Sequence, residues 1–236
     1  MRGLRGLRAC VSQGGHKAER GGGPVNVLLA GVGGQGILFV TGLLAHLGME
    51  RGWPVCACET HGMAQRGGSV VSHLRLGKKE AGPLIPKGRA DLLLGLNEDE
   101  GLRHLAYLKK GGCLLLERGR DKLRLAGVAR YLDFMHIKAV SVPAFSLAQE
   151  MNFLLGANLV LVGAASALGW LPFSAGELER GLKALSKSNL LERNLESLRL
   201  GLKSNPEQGM VLRASPATAG LAAPKGPKRQ RASIYR

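Results

Sequence analysis

Acidic side chains are scarce in this 236-residue chain, in which 17 Asp and Glu face 33 Lys and Arg for a formal net charge of +16. Aromatic residues make up only 4%. A basic surplus by itself points to an anionic partner such as nucleic acid, a membrane surface or a phosphorylated cofactor. Without an aromatic-rich basic platform or a nucleic-acid motif, it does not define a nucleic-acid binder, and none is expected as a partner. The location of the charge supports this. Arg2, Arg5, Arg8, Lys17 and Arg20 stand against Glu19 alone at one end, and Arg213, Lys225, Lys228, Arg229, Arg231 and Arg236 against Glu207 alone at the other.

Cysteine is also sparse. Cys10, Cys56, Cys58 and Cys113 match no zinc-finger or iron–sulfur spacing, so no metal set is expected. Cys56 and Cys58 would share one face of an extended strand, and half-buried thiols in a reducing cytoplasm are the simplest reading. The opening "MRGLRGLRAC" lacks the apolar run of a secretory signal. One run, "FLLGANLVLVGAASALGWLPF" at residues 153–173, is long enough to span a bilayer. Its small residues, its internal Asn158 and its lack of basic flanks favour a buried helix, and no membrane partner is expected.

What is present divides the chain into three parts: a flexible leader at 1–24, a folded domain at 25–203 and a disordered basic tail at 204–236. The domain starts with "VNVLLAG", a β-rich run ending in glycines, and a helix over Gln35–Arg51. "WPVCACE", "SVVSHLRLG", "DLLLGL", "GGCLLLE" and "MHIKAVSVP" read as further strands. "NEDEGLRHLAYLKK" reads as a helix with acids first and bases last, as the helix dipole favours. Helices follow at about 144–151, 153–169, 175–187 and 190–203. This alternation predicts an α/β fold: a three-layer Rossmann-like sheet with helices on both faces and the C-terminal helices packed on it.

Two stretches carry chemistry. "LLAGVGGQGI" places Gly31, Gly33 and Gly36 in G-x-G-x-x-G spacing between a strand and a helix, where backbone N–H groups can meet an anion. The same glycines would also serve a helix that merely packs close to the sheet. A dinucleotide site further calls for a carboxylate about twenty residues on. Glu59 lies later than that and precedes a loop instead of a helix, which speaks against nicotinamide or flavin. The second stretch is "CETHGMAQRGGSVVSHLRLG", residues 58–77, too polar for a core and too patterned for a linker. His73, on its strand, reads as structural.

Together, "GVGGQGI" and "ETHGMAQRGGSVVSHLRLG" resemble the gamma-type domain of the 2-oxoacid:ferredoxin oxidoreductases, and within that family its indolepyruvate-type beta subunits. The resemblance continues through "ADLLLGLNEDEGLR", "NFLLGANLVLVGAASALGWLP" and "KSNLLERNLESLRLG", including Lys187, Glu192, Asn194 and Gly201, and covers residues 25–203. It implies a cytoplasmic oxidoreductase subunit for oxidative decarboxylation of an aryl-2-oxoacid such as indolepyruvate to an acyl-coenzyme A, with electrons passing to ferredoxin. Thiamine diphosphate and iron–sulfur clusters would sit on a large alpha subunit, and this chain alone would bind none of them and hold no catalytic residue.

Coenzyme A is then possible at the interface, with Gly31, Gly33, Gly34, Gln35 and Gly36 as an acyl-acceptor or anion loop. Glu59, His61, Gln65, Arg66, Gly67 and Gly68 would form a partner-facing loop. In it Glu59 and Arg66 fix the chain by charge-assisted hydrogen bonds, His61 and Gln65 donate toward an anion, and the glycines allow close approach. The same loop would also serve as an internal network holding two strands together. Two other readings remain open: a self-sufficient nucleotide-binding oxidoreductase, and a basic adaptor working through its tails.

Overall fold

The structure, a computed structural model, describes residues 25–61, 67–77, 82–117 and 122–204, without the side chains of His61 and 122–127. The leader and residues 205–236 lie outside the described residues. β1 (Val25–Val32), β2 (Val55–His61), β3 (Ser69–Leu76), β4 (Ala90–Gly95), β5 (Leu108–Glu117) and β6 (Lys138–Val142) form a six-stranded sheet ordered β2-β3-β1-β4-β5-β6. β1, β4, β5 and β6 run parallel, while β3 is antiparallel to both β1 and β2.

β1 is apolar apart from the buried, hydrogen-bonded Asn26 because both its faces are covered. Val27 and Leu29 enter one core with Leu74, Leu92, Leu94 and Leu115. Leu28 and Ala30 enter the other with Leu93, Leu114 and Leu116. The first core is closed by α1 (Ile37–Glu50), α4 (Ala144–Glu150), α5 (Ala157–Ala167), α6 (Ala175–Leu185) and α7 (Leu191–Lys203). The second is closed by α2 (Glu98–Arg103), the following 3₁₀ turn Leu105–Tyr107 and α3 (Lys122–Phe134). The three-layer α/β expectation therefore holds.

Two local readings change. The "NEDEGLRHLAYLKK" helix stops at Arg103, because Leu108 already belongs to β5 and Lys109 pairs with Asp91 of β4. The 153–173 run resolves into a short 3₁₀ turn and the eleven-residue α5, buried on almost every side. Among the described residues no helix is long and apolar enough to cross a membrane.

Several polar side chains inside the fold are hydrogen-bonded to one another or to backbone. Thr41 Oγ1 of α1 donates to Ser72 Oγ of β3 at 2.9 Å. His73 is 3% exposed; its Nδ1 accepts from Ile85 N at 3.1 Å, and its ring meets Tyr107 edge-on. Burial, with His104 adding, holds His73 below the usual histidine range, so it stays neutral and structural. Cys56, Cys58 and Cys113 are half-buried and not joined in a disulfide, and burial pushes the Cys113 thiol up.

Candidate functional site

At the C-terminal ends of the parallel strands, where open α/β sheets place their sites, lies a cavity of about 840 Å³. Gly34–Gly36 after β1, Asn97–Asp99 after β4, Glu117 at the end of β5 and Phe145 after β6 form one side. Asn158 and Leu161 of α5, with Ser186, Lys187 and Asn194, form the other.

Gln35 organises the glycine turn. Its Oε1 accepts from Val32 N at 2.7 Å and its Nε2 donates to Leu96 O at 3.1 Å, which ties the exit of β1 to the exit of β4. Gly31 is a glycine because a Cβ there would stand 2.6 Å from Gln35 Oε1. Gly36 has a left-handed φ of 78°, and a Cβ there would collide with the Asn158 amide. Asn158 Nδ2 in turn donates to Gln35 O at 3.2 Å. Gly36→Ala should thus lower stability by about 1.5 kcal/mol, through left-handed strain plus displacement of Asn158. Gly34→Ala, with φ 99° but open space around it, should show only the strain, about 1 kcal/mol. Urea unfolding of the two variants separates the contributions.

The electrostatics of the cavity are acidic although the chain is basic. Glu98, Asp99 and Glu117 line it, with Glu98 9% exposed. Burial pushes the Glu117 carboxyl up to about 7, against hydrogen bonds from Phe145 N (3.0 Å) and Ala144 N, and the Glu98 carboxylate adds to the rise. Asn158 is 7% exposed, and its Oδ1 has no hydrogen-bond partner.

These groups fit an anionic acyl acceptor poorly. The Gly33 N–H already donates to Gly68 O at 2.9 Å and the Gln35 N–H to Val32 O at 3.2 Å. Gly31 lies inside β1 and does not face the cavity, and the carboxylates oppose a phosphate. Within the expected anion loop of Gly31, Gly33, Gly34, Gln35 and Gly36, the N–H groups of Gly33 and Gln35 are thus used internally, whereas Gly34, Gln35 and Gly36 line the cavity.

Among the described residues the two candidate groups meet at one point. Gly67 and Gly68 lie beside Gly33 through that backbone bond. Glu59 lies on the exposed outer strand β2, its Cα opposite Ser72, and does not line the cavity. Because β3 intervenes between β2 and β1, Glu59 stands two strand spacings, about 10 Å, from β1, away from the ribose position of a dinucleotide fold. Gln65, Arg66 and the His61 side chain lie outside the described residues. Lys187 and Asn194, noted for their resemblance, do reach the cavity, and Asn194 Nδ2 donates to Ser186 Oγ at 2.9 Å. Glu98, Glu117 and the role of Asn158 were missed by the sequence reading. A carboxylate directly after a buried parallel strand is the signal that marks Glu117.

Known proteins place this architecture. The family described as pyruvate ferredoxin/flavodoxin oxidoreductase matches residues 26–204, and the chain belongs to it. It is 35% identical over 188 residues to indolepyruvate oxidoreductase subunit IorB of Archaeoglobus fulgidus, covering 75% of this chain and 93% of that protein. In fold it is similar to the keto/oxoacid ferredoxin oxidoreductase gamma subunit of Geobacter sulfurreducens, with TM-score 0.56 and 21% identity over 75% of this chain and 95% of that one. It is also similar to the 2-oxoglutarate:ferredoxin oxidoreductase of Magnetococcus marinus, solved with 2-oxoglutarate, coenzyme A and succinyl-CoA bound. There the TM-score is 0.63 and the identity 20%, over 78% of this chain and 31% of that one.

Proposed function

We propose that this chain is the small subunit of a cytoplasmic indolepyruvate-type 2-oxoacid:ferredoxin oxidoreductase. The observation that carries this reading is the match, at 35% identity over 75% of this chain and 93% of the relative, with a subunit of indolepyruvate oxidoreductase. The assembly oxidises an aryl-2-oxoacid to carbon dioxide and an aryl-acetyl-coenzyme A, and two electrons leave on ferredoxin. Thiamine diphosphate and iron–sulfur clusters on a large alpha subunit supply the decarboxylation and the electron path. This chain's contribution is an α/β platform whose end of β2, with Glu59 and His61, and following loop, with Gln65, Arg66, Gly67 and Gly68, face that subunit. Coenzyme A enters at the interface between the two, outside the acidic cavity.

The test is a purification of the tagged full-length chain from its native cell, with the eluate assayed for thiamine diphosphate, iron and arylpyruvate-dependent reduction of a viologen dye. Co-elution of an iron-bearing partner with that activity is the expected result, and the separated chain should show none. A chain that elutes alone with a stoichiometric bound nucleotide would overturn the reading and favour the self-sufficient alternative.

A further inference from the structure

We infer that Glu100 is a positioning residue for this chain's contact with the partner subunit, acting through the hydroxyl of Ser69. The inference rests on the subunit reading above, in which Gly67 and Gly68 face that subunit, and goes beyond it by naming what holds them in place.

Close packing does not hold them. Gly67 is exposed with a left-handed φ of 70°, and among the described residues nothing lies within 4 Å of where its Cβ would stand. A Cβ on the facing Gly33 would meet Gly68 O at 3.7 Å and Gly67 N at 3.8 Å, which is ordinary contact. Beyond the ladder pairing of Ser69 with Val32, two hydrogen bonds fix the segment. Gly33 N donates to Gly68 O at 2.9 Å, and Ser69 Oγ donates to Glu100 Oε2 at 2.6 Å. The second is short and charge-assisted, the kind of bond that sets a geometry most firmly.

Glu100 is itself held still. It lies in α2 and is 5% exposed. Its backbone N–H donates to Asn97 Oδ1 at 3.1 Å, the N-cap bond of α2, and its Oε1 accepts from Arg103 Nη1 at 2.5 Å. The start of α2 is tied to the glycine turn in turn: Leu96 N donates to Ala30 O at 2.8 Å, and Gln35 Nε2 donates to Leu96 O at 3.1 Å. Arg103 is 68% exposed, and an ion pair with so exposed a partner contributes little. A carboxylate removed from water is a costly way to add stability. Its side-chain bond beyond α2 goes to Ser69, at the root of the segment that faces the partner.

The same strand supplies a control. Ser72 of β3 is 0% exposed, and its Oγ accepts from Thr41 Oγ1 of α1 at 2.9 Å. Odd and even positions of a strand point to opposite faces, so the Ser72 bond lies on the α1 side of the sheet and the Ser69 bond on the α2 side. Deleting either hydroxyl removes one internal hydrogen bond from β3, but only the Ser69 deletion releases Glu100.

The test measures the affinity of the full-length chain for its isolated partner subunit, with melting temperatures alongside, for the wild type, S69A, S69T, S72A, E100A and S69A/E100A. S69A is expected to bind about tenfold more weakly, mainly through faster dissociation. S69T keeps the hydroxyl and should bind within about twofold of wild type, and S72A should do the same although its melting temperature falls at least as far as that of S69A. S69A/E100A should bind no more weakly than E100A, as expected of two groups acting through one bond. Binding by S69A within about twofold of wild type, or an equal loss in S72A, would make the Glu100 bonds purely structural and overturn the inference, while the subunit reading stands. Should E100A fail to fold, the three serine variants decide the matter alone. If the wild-type chain associates with no iron-bearing subunit, both readings fall together.

Discussion

Gly201→Ala is expected to lower the unfolding free energy by about 3 kcal/mol, a large fraction of a typical domain's stability. α5 and α7 cross with their backbones in contact. A methyl group at Gly201 would collide with the Val160 carbonyl, and one at Gly163 would collide with that of Leu198. Neither obstacle is the end of a flexible side chain. The helices must separate, which opens the packing of Leu161, Leu195 and Leu198 in the larger core. In a domain of this size the expected fall in Tm is about 6–12 °C. Gly42→Ala supplies the control. Gly42 sits mid-helix in α1 with nothing near its missing Cβ, so alanine there should stabilise by about 1 kcal/mol through helix propensity and unfolded-state entropy. Opposite signs for the same chemical change, read by urea unfolding and thermal melts, test the crossing directly. Equal effects would refute it.

The sequence made some of this visible and concealed the rest for physical reasons. β1 and β4 were legible because strands buried on both faces are nearly continuous apolar runs, and α6 because Ser174 and Glu177 form a capping box ahead of an amphipathic stretch. α3 was not read, since its apolar and charged residues are interleaved without a strong helical period. Strand order was not legible either. Nothing local distinguishes a β2 that pairs antiparallel with β3 from one that returns parallel to β1, so the distance of Glu59 from the glycine turn emerged only in three dimensions. The candidate site was half legible. The glycine spacing marked the right corner of the fold, but spacing cannot say that the N–H groups of Gly33 and Gln35 are already bonded to Gly68 and Val32. Asn158 was visible as a lone amide in an apolar helix, and it argued against a membrane span. Its second meaning, an acceptor turned away from Gln35, depends on contacts between residues 123 positions apart.

Arg51→Ala is expected to cost about 2 kcal/mol at neutral pH, between the value of an exposed ion pair and that of a buried one. Arg51 closes α1 onto the start of α6. Its Nε and Nη2 donate to the two Glu177 oxygens at 2.7 Å each, and its guanidinium lies 4.9 Å from the Trp53 ring and 5.0 Å from the Phe173 ring. Glu177 also closes the α6 capping box, accepting from Ser174 N and Oγ at 2.8 and 2.7 Å. Burial alone would raise this carboxyl. The Ser174 hydrogen bonds and then Arg51 outweigh it and hold Glu177 down at about 2. A carboxyl depressed in the folded state stabilises fully above its unfolded value near 4.5 and loses that contribution as pH falls toward 2. The wild type should therefore lose stability steeply across that window. Arg51→Ala should lose less over the same range, since Glu177 would keep Ser174 but not the guanidinium. The gap between the two proteins, read as Tm against pH, should be widest near neutrality and narrow below pH 4. A gap that stays constant down to pH 2 would mean that the arginine acts through its stacking on Trp53 and Phe173 alone, with no share in the acid sensitivity of the clasp.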